Sequence, residues 1–265
     1  MAIELPEAQR LAQQIDAALK GKDIAGVLVP ERAAALVRQG FINLHTTILA
    51  HTTVAGAYSR GKWIFVELEP GRLLLFALET GGRLLYHPTG FSGPATYQTR
   101  IDFVDGSCLT VHISGWGFAK TVLRRELANE AYPGRLGISP LDEHFTLSML
   151  ASMLDSAAPQ LIQQAIMDQR TLAGIGGGYA QDILFRAGLH PKRTAGSLDS
   201  GEMHRLYDAI RTTLSLAVAQ GGRTGEVDLY GHPGGYQPVM DAAHMGRPCP
   251  ICATPVMQIT VLGAP

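Results

Sequence analysis

The sequence changes texture part of the way along the chain, and this change limits the possible folds more than any other feature. Residues 23–123 consist of short apolar, β-rich runs, with the turn-forming pairs Pro70-Gly71 and Asp105-Gly106 between such runs. After residue 141, apolar side chains recur about every 3.6 positions, most regularly over residues 203–218. A strand-rich region followed by a helical region is typical of an α+β protein.

The predicted architecture has three segments. Residues 1–135 contain an amphipathic helix over residues 4–21, followed by an antiparallel β-sandwich that includes the β-rich run FINLHTTILA (41–50). Residues 136–232 form a helical domain. Residues 233–265 form a tail rich in Gly and Pro, which ends on the strand-like run MQITVL.

Charge and composition exclude several classes of protein. The 265 residues carry 22 Lys and Arg against 23 Asp and Glu, so bulk charge does not indicate a nucleic-acid partner. Residues 1–139 hold 14 basic and 12 acidic side chains, and residues 140–265 hold 8 and 11, so the helical part is mildly acidic. Three cysteines are too few for a disulfide framework, and neither a basic secretory signal nor an apolar stretch of membrane-spanning length is found. We expect a cytoplasmic protein with no membrane partner.

Four stretches of the chain, taken in order, resemble the formamidopyrimidine-DNA glycosylase and endonuclease VIII family of base-excision repair enzymes. They are IELPEAQRLAQQI (3–15), SRGKWIFVEL (59–68), MDQRTLAGIGGGYAQDILFRAGLHPKR (167–193) and GRPCPICATPV (246–256). The third resembles the family's helix–two-turn–helix segment, and the fourth resembles the first half of its terminal zinc finger. The resemblance implies a helix–two-turn–helix domain and a truncated finger hairpin. It also implies a monomer whose partner is damaged or abasic double-stranded DNA.

The nucleophile of the family is altered in this sequence. In the family, the amine of an N-terminal proline attacks C1′ of a nucleotide flipped out of the duplex, and the Schiff base leads to strand cleavage by β-elimination. Ile3 stands where that proline would be, and removal of Met1 would leave a primary amine on Ala2, displaced by up to about 3.5 Å of chain. The missing proline calls catalysis into question. Residues 1–3 have the alternative role of leading into the helix.

Two further catalytic positions of the family are kept. The resemblance implies that Glu4 acts as a general acid or base at the sugar ring, and that Lys62 assists proton transfer and binds phosphate near Arg60. Each residue also has a structural interpretation. Glu4 is an acid of the kind favoured at a helix start, and Lys62 lies at a solvated strand end.

The side chains with which the family fills the gap left by the flipped base are mostly replaced. Glu79 aligns with a Met of the family and Gly117 with an Arg, whereas Phe118 matches the family's Phe and is a candidate DNA contact. Trp116 carries a ring of the kind that stacks on a base. Packing of Trp116 and Phe118 against the protein itself is the favoured alternative.

The glycine turn of the helix–two-turn–helix segment is retained in altered form. Gly176, Gly177 and Gly178 lead into a helix predicted to start at about Tyr179, where backbone N–H groups can hold a DNA phosphate. Gly177 replaces the family's Asn. Lys192, shortly downstream, adds a positive charge. The structural alternatives are a turn that needs positive φ and, for Lys192, a solvated surface.

Half of the zinc ligands of the family's finger are present. A tetrahedral structural site takes four ligands, and Cys249 with Cys252 supply two. His232 and His244 are conceivable replacements, and a redox pair is a further alternative. The ligand count favours a zinc-free remnant of the finger and therefore no cofactor.

Taken together, these features predict a divergent DNA-binding member of the family that recognises damaged DNA in base-excision repair. One alternative is an active DNA glycosylase and abasic-site lyase that uses the Ala2 amine, or water activated by Glu4, on an unusual lesion. Another is an interaction module that has kept the fold and lost DNA binding. The acidic helical part and the replaced residues favour this last alternative.

Overall fold

The N-terminal helix forms where the sequence predicts it. In the computed structural model, which describes residues 2–90 and 96–261, helix α1 spans Leu5–Leu19. Glu4 is the N-cap, and Glu7 completes a capping box in which the Glu4 backbone N–H donates to Glu7 Oε2 at 2.8 Å. The helix buries one apolar stripe, made up of Ala8, Leu11, Ala12, Ile15 and Leu19.

The strand-rich region forms two sheets. Its strands are β1 (Ile24–Leu28), β2 (Ile42–Asn43), β3 (Thr53–Arg60), β4 (Trp63–Glu69), β5 (Arg72–Ala77), β6 (Arg83–His87), β7 (Thr99–Phe103), β8 (Cys108–His112) and β9 (Phe118–Leu123). One sheet has the strand order β1-β7-β8-β6 and the other β2-β9-β5-β4-β3. The predicted turns at residues 70–71 and 105–106 connect β4 to β5 and β7 to β8. The α+β class and the sandwich are confirmed.

Two details differ from the prediction. Strands β2 and β9 pair in parallel, so the larger sheet is not wholly antiparallel. The run 41–50 is not one strand, because the short helix α3 (Thr46–Leu49) follows β2. Thr46 Oγ1 accepts from the Val27 N–H and donates to the Val27 carbonyl, both at 2.9 Å, and Leu49 is fully buried. These tertiary contacts outweigh the β propensity of the run.

The main core lies between the two sheets and α1, and the larger sheet has a second apolar cluster on its other face. Strand β4 shows why: Ile64 and Val66 face the main core, whereas Trp63 and Phe65 face the second cluster. Successive side chains of a strand point to opposite faces of the sheet, so one strand contributes to both apolar clusters. Residues on both faces of this strand are buried, so the larger sheet is held rigidly.

The helical region also follows the predicted period. After the short helix α2 (Ala34–Arg38) and α3, its helices are α4 (Leu147–Ser156), α5 (Ile162–Met167), α6 (Gly177–Ala187) and α7 (Ser200–Ala219). Short 3-10 turns occur at Glu31–Ala33, Arg124–Asn129, Pro133–Arg135, Ala195–Ser197 and Ala242–His244. Helices α5 and α6 with the turn between them form the helix–two-turn–helix segment.

The tail differs from the prediction at its end. A hairpin turn does form, with an antiparallel bridge between Pro248 and Pro255 and a Cys249 N–H to Thr254 carbonyl bond of 2.8 Å. Residues 257–260, however, form no strand, because no neighbouring strand in the described part of the chain pairs with them. Leu262 of the same run lies outside the described residues. The tail is anchored instead by the buried Asp182 carboxylate, which accepts from the N–H groups of Val239 and Met240.

The chain divides into two compact units that do not follow its order. The first unit contains Met1–Leu136 and Ala217–Tyr236, and the second contains Gly137–Leu216 and Gln237–Pro265. The division of the sequence into three segments, at residues 135 and 232, stays a prediction. In the structure, residues 217–232 belong to the first unit, which contains the sandwich. Within 2–90 and 96–261, no helix combines the length and apolar character needed to cross a bilayer.

Candidate functional site

The register of the larger sheet gathers the polar loops of the first unit at one end. Trp63 at the start of β4 pairs with Ala77 at the end of β5, and Ala77 pairs with Phe118 at the start of β9. Lys62 precedes Trp63, and Glu79 lies two residues beyond Ala77. These side chains and the loop that ends at Gly117 therefore share one end of the sheet.

The N-terminal segment reaches the same end. The Ile3 backbone N–H donates to the carbonyl of Leu78 at 3.1 Å, and the Ile3 side chain is buried in the main core. Ala2 and Glu4 flank this anchored residue. The structure thus brings together the predicted residues Ala2, Glu4, Lys62 and Phe118. Arg60, on the strand next to Lys62, is exposed and donates to the Leu136 carbonyl at 3.3 Å.

A buried ion cluster holds the N-terminal carboxylates, and the sequence analysis missed its central residue. Arg223 is 1% exposed, and Glu4 and Glu7 are each 3% exposed. The Arg223 Nη1 donates to Glu4 Oε1 at 3.3 Å, its Nε and backbone N–H donate to Glu7 Oε1 at 3.2 and 2.8 Å, and its Nη2 donates to the Ala2 carbonyl at 2.6 Å. One guanidinium therefore fixes both carboxylates and the backbone ahead of them.

Physical chemistry requires a cation at this position. Burying two carboxylates without a partner is strongly unfavourable, and arginine presents several donors in a fixed planar fork. The available sequence signal was weak, because a single arginine in the glycine-rich stretch GGRTG is separated from Glu4 by more than two hundred residues. Burial also raises the pKa of the nearby Glu226.

A second set of contacts connects the residues that follow α7 to helix α1. Arg10 Nη2 donates to Asp228 Oδ2 at 2.6 Å, and Gln14 Nε2 donates to the same oxygen at 2.9 Å. Burial would raise the pKa of Asp228, but donation from the Gln14 side chain and from the N–H groups of His232 and Tyr230 holds it below its usual value. The residues that follow α7 are therefore pinned along α1.

Lys62 faces a carboxylate of its own chain. Its Nζ lies 3.4 Å from Glu79 Oε1 and 5.5 Å from the centre of the Trp63 ring. Both charged side chains are partly exposed, so the pair contributes at most about 1 kcal/mol to stability. The pair has a greater effect on phosphate binding, because the Glu79 carboxylate neutralises the charge of Lys62 and repels an approaching phosphate.

The aromatic residues near Lys62 differ from each other in exposure. Phe118 is half-buried, packs against the second apolar cluster and lies under Lys120 Nζ at 5.0 Å, as the packing interpretation predicts. Trp116 is 81% exposed, and its ring meets Phe41 edge-on with centroids 5.8 Å apart, so it packs against the protein on one side only. Glycine is required at position 117 for steric reasons. A Cβ there would lie 2.8 Å from the Ala77 carbonyl oxygen, so the loop has no room for a side chain at that position.

The helix–two-turn–helix segment of the second unit is built on a braced turn. Gln169 Oε1 accepts from the Gly174 N–H at 2.8 Å, and Gln169 Nε2 donates to the Ile175 carbonyl at 2.7 Å. Gly176 is the N-cap of α6, so the helix starts two residues earlier than predicted. Gly177 faces open space.

The DNA contacts predicted for the second unit are affected by burial. Gly178 and Tyr179 are buried, so the Tyr179 side chain offers no surface for DNA, and any contact there falls to the backbone. Tyr179 belongs to the buried face of α6, together with Ile183 and Leu184. Lys192 is exposed, whereas the neighbouring Arg193 is bonded to Glu202 at 2.9 Å.

The cysteine pair of the tail does not fit a zinc site in the described part of the chain. Cys249 and Cys252 are free thiols, and hydrogen bonds from Thr254 lower the pKa of Cys252. His244 is bonded to Asp241 at 2.7 Å, and His232 lies 3.6 Å from Asp228. Over residues 2–90 and 96–261, no group of three or more His, Cys, Asp and Glu side chains is placed to hold a metal.

Comparison with known proteins shows the family. The chain matches the formamidopyrimidine-DNA glycosylase N-terminal domain over residues 2–112 and the formamidopyrimidine-DNA glycosylase H2TH domain over residues 136–228. It is 32% identical to a formamidopyrimidine-DNA glycosylase of Moorella thermoacetica, covering 97% of this chain and 94% of that protein. It is 36% identical to the one of Thermus thermophilus, covering 78% and 81%. The chain belongs to the formamidopyrimidine-DNA glycosylase family.

Solved structures agree with this assignment. The crystal structure of the MutM (Fpg) protein from Thermus thermophilus superposes with a TM-score of 0.85 at 28% identity, covering 98% of this chain and 95% of that one. The Lactococcus lactis Fpg in complex with abasic-site DNA has a TM-score of 0.82 at 20% identity and the same coverage, which shows a shared fold.

The buried cluster gives the first prediction. Replacing Arg223 with Met leaves two buried carboxylates without their cation, so we expect the free energy of unfolding of the first unit to fall by about 3–5 kcal/mol. Both tryptophans lie in this unit, so their fluorescence in a denaturant titration measures the change. Arg124→Met, which breaks an exposed pair with Glu67, should change stability by less than about 0.5 kcal/mol. Equal losses in the two variants would contradict the assigned role of Arg223.

The tail gives the second prediction. Because two thiols supply half of a tetrahedral site, we expect protein purified without chelator to contain far less than one zinc per chain by elemental analysis. About one zinc per chain, lost in Cys249→Ser, would show that a four-ligand site exists.

Proposed function

We propose that this protein binds damaged or abasic double-stranded DNA in base-excision repair, as a divergent glycosylase-family member that lacks efficient Schiff-base chemistry. Membership of the family supports the DNA partner, since the relatives are formamidopyrimidine-DNA glycosylases and the Lactococcus lactis Fpg has been solved with abasic-site DNA. The observation that carries the proposal is the state of Ile3. Its side chain is buried and its amide N–H is donated to the Leu78 carbonyl, at the residue that the resemblance aligns with the family's catalytic proline.

A peptide amide does not replace that amine. The Ile3 nitrogen is acylated by Ala2 and its hydrogen is donated to Leu78, so it has no basic lone pair with which to attack C1′. The next candidate, a primary amine on Ala2, belongs to a residue whose carbonyl is held by Arg223 at 2.6 Å. That amine lies one residue ahead of the family's proline position, a displacement of up to about 3.5 Å of chain, and misplacement on this scale costs about a hundredfold in rate.

Binding residues are better preserved than the nucleophile. Arg60 ends β3 and Lys62 lies in the turn that leads into β4, at the same sheet end as Glu4, where they supply the positive charge that a DNA backbone needs. The Glu4 carboxyl accepts a hydrogen bond from the Arg223 guanidinium at 3.3 Å. A carboxylate at this place is suited to accept a proton from water or to stabilise positive charge on the sugar, which leaves hydrolytic base release as the alternative activity.

Covalent trapping tests the loss of Schiff-base chemistry. The protein is incubated with duplexes containing an abasic site, 8-oxoguanine or an oxidised pyrimidine, borohydride is added, and binding, base release and covalent adducts are measured together. We expect binding to abasic DNA with far weaker trapping than a proline-bearing relative gives, because no secondary amine is present at position 3. A variant lacking Ala2 and carrying Ile3→Pro serves as the control, since it restores a proline behind Met1 and should gain trapping.

Other outcomes of that experiment have distinct meanings. Efficient trapping by the unmodified protein that maps to Ala2 would overturn the proposal in favour of an active lyase. Absence of binding to every duplex at low salt would support the interaction-module alternative.

A salt titration tests the role of Lys62. Loss of one phosphate contact in Lys62→Met should make the slope of log affinity against log salt shallower by about 0.9, whereas Lys20→Met, at the exposed end of α1, should leave the slope unchanged. Glu79→Gln removes the competing carboxylate and should raise affinity by up to about fivefold. An unchanged slope in Lys62→Met would exclude this lysine from the DNA interface.

A further inference from the structure

A further acid lies beside the buried cluster of Arg223, Glu4 and Glu7. Glu226 is 8% exposed, and its backbone N–H donates to the Arg223 carbonyl at 3.1 Å. Burial raises the pKa of the Glu226 carboxyl, and the positive charges of the N-terminus and of Arg223 act against that rise. The stretch after α7 therefore brings an acid to the cluster as well as its arginine.

The charges of this cluster do not balance among the described residues. Three carboxyl groups lie around one guanidinium, that of Arg223. Arg10 does not serve them, because it is paired with Asp228 at 2.6 Å. Buried charge without a counter-charge is strongly unfavourable, so the cluster needs a second cation or a bound proton.

The backbone of Ala2 lies at the same cluster. Its carbonyl oxygen accepts from Arg223 Nη2 at 2.6 Å, and the next residue, Ile3, is bonded to the Leu78 carbonyl at 3.1 Å. Covalent geometry keeps the nitrogen of a residue within about 4 Å of its own carbonyl oxygen. Removal of Met1 turns the Ala2 nitrogen into a primary amine, which is mostly protonated at neutral pH. The chain itself can thus supply the second cation.

From this arrangement we infer that Glu226 binds the α-ammonium group of Ala2 as a second ion pair of the buried cluster. Glu226 is then a positioning residue, which acts on the amine and not on DNA. The inference rests on the proposed function only for its consequence. An ammonium group has no lone pair with which to attack C1′, so the ion pair withholds the remaining amine from Schiff-base chemistry.

The rate at which the amine is acetylated measures its protonation, because only the neutral form reacts. The chain is produced without an N-terminal tag, Met1 is removed with methionine aminopeptidase, and mass spectrometry confirms Ala2 as the first residue. Labelling of the N-terminal peptide by limiting acetic anhydride is then measured against pH. A synthetic peptide of residues 2–9 is the reference, since a free α-amino group has a pKa of about 7.7–8.0.

We expect the midpoint of labelling in the unmodified protein to lie about one pH unit above that of the peptide, which makes the amine about tenfold less reactive at pH 7. Glu226→Gln keeps the shape of the side chain and removes its charge. The midpoint of this variant should fall below that of the peptide, because burial and Arg223 then disfavour the ammonium form. Glu126→Gln, at an exposed carboxyl of the same unit, is the matched control and should leave the midpoint unchanged.

Several results would overturn the inference. Slower labelling at every pH, with the midpoint of the free peptide, would show that the amine is shielded without being paired. A midpoint below that of the peptide in the unmodified protein would assign the missing positive charge to a proton on Glu226. Equal midpoints in the unmodified protein and Glu226→Gln would also contradict the ion pair. If Glu226→Gln does not fold, the comparison of the unmodified protein with the peptide still decides.

The labelling experiment uses no DNA. Its failure therefore leaves the proposed DNA binding untouched, and a failure to bind DNA leaves the ion pair of Glu226 untouched.

Discussion

The buried contact between Arg223 and the two N-terminal carboxylates is the interaction on which the candidate site depends. It fixes the N-cap of α1, the second acid of the capping box and the carbonyl of Ala2 with one guanidinium. Because all three charged side chains are out of water, the cluster is stable as a complete set and strongly unfavourable when one member is missing. The position of Glu4, and therefore any chemistry at this end of the sheet, follows from it.

The register of the larger sheet supplies the second constraint. Pairing of Trp63 with Ala77 and of Ala77 with Phe118 brings together loops that are far apart in sequence. The same pairing explains a replacement that sequence comparison leaves unexplained. Gly117 lies against the Ala77 carbonyl, which leaves no room for the arginine of the family, and the neighbouring exposed ring of Trp116 is the large side chain that this loop presents.

Much of this arrangement is predictable from the sequence, because helical period, turn residues and local capping act over a few residues. The places of α1 and α7, to within three residues at each end, and the two hairpin turns follow from such patterns. Long-range contacts do not, and they account for the differences. Thr46 bonds to Val27 and turns a β-rich run into a helix, and Tyr179 is buried because it lies on the apolar face of α6. Arg223 was missed because no local pattern reveals a partner two hundred residues away.

The discontinuous path of the first unit has a consequence for how the protein is made. Arg223 is 219 residues from Glu4 and 216 from Glu7, so α1 waits for its cation until more than two hundred further residues have been synthesised. Residues 137–216, which belong to the second unit, leave the ribosome first. During translation, the nascent sandwich therefore carries Glu4 and Glu7 without the cation that neutralises them. Packing of α1 can be completed only after residues 137–216 have left the ribosome.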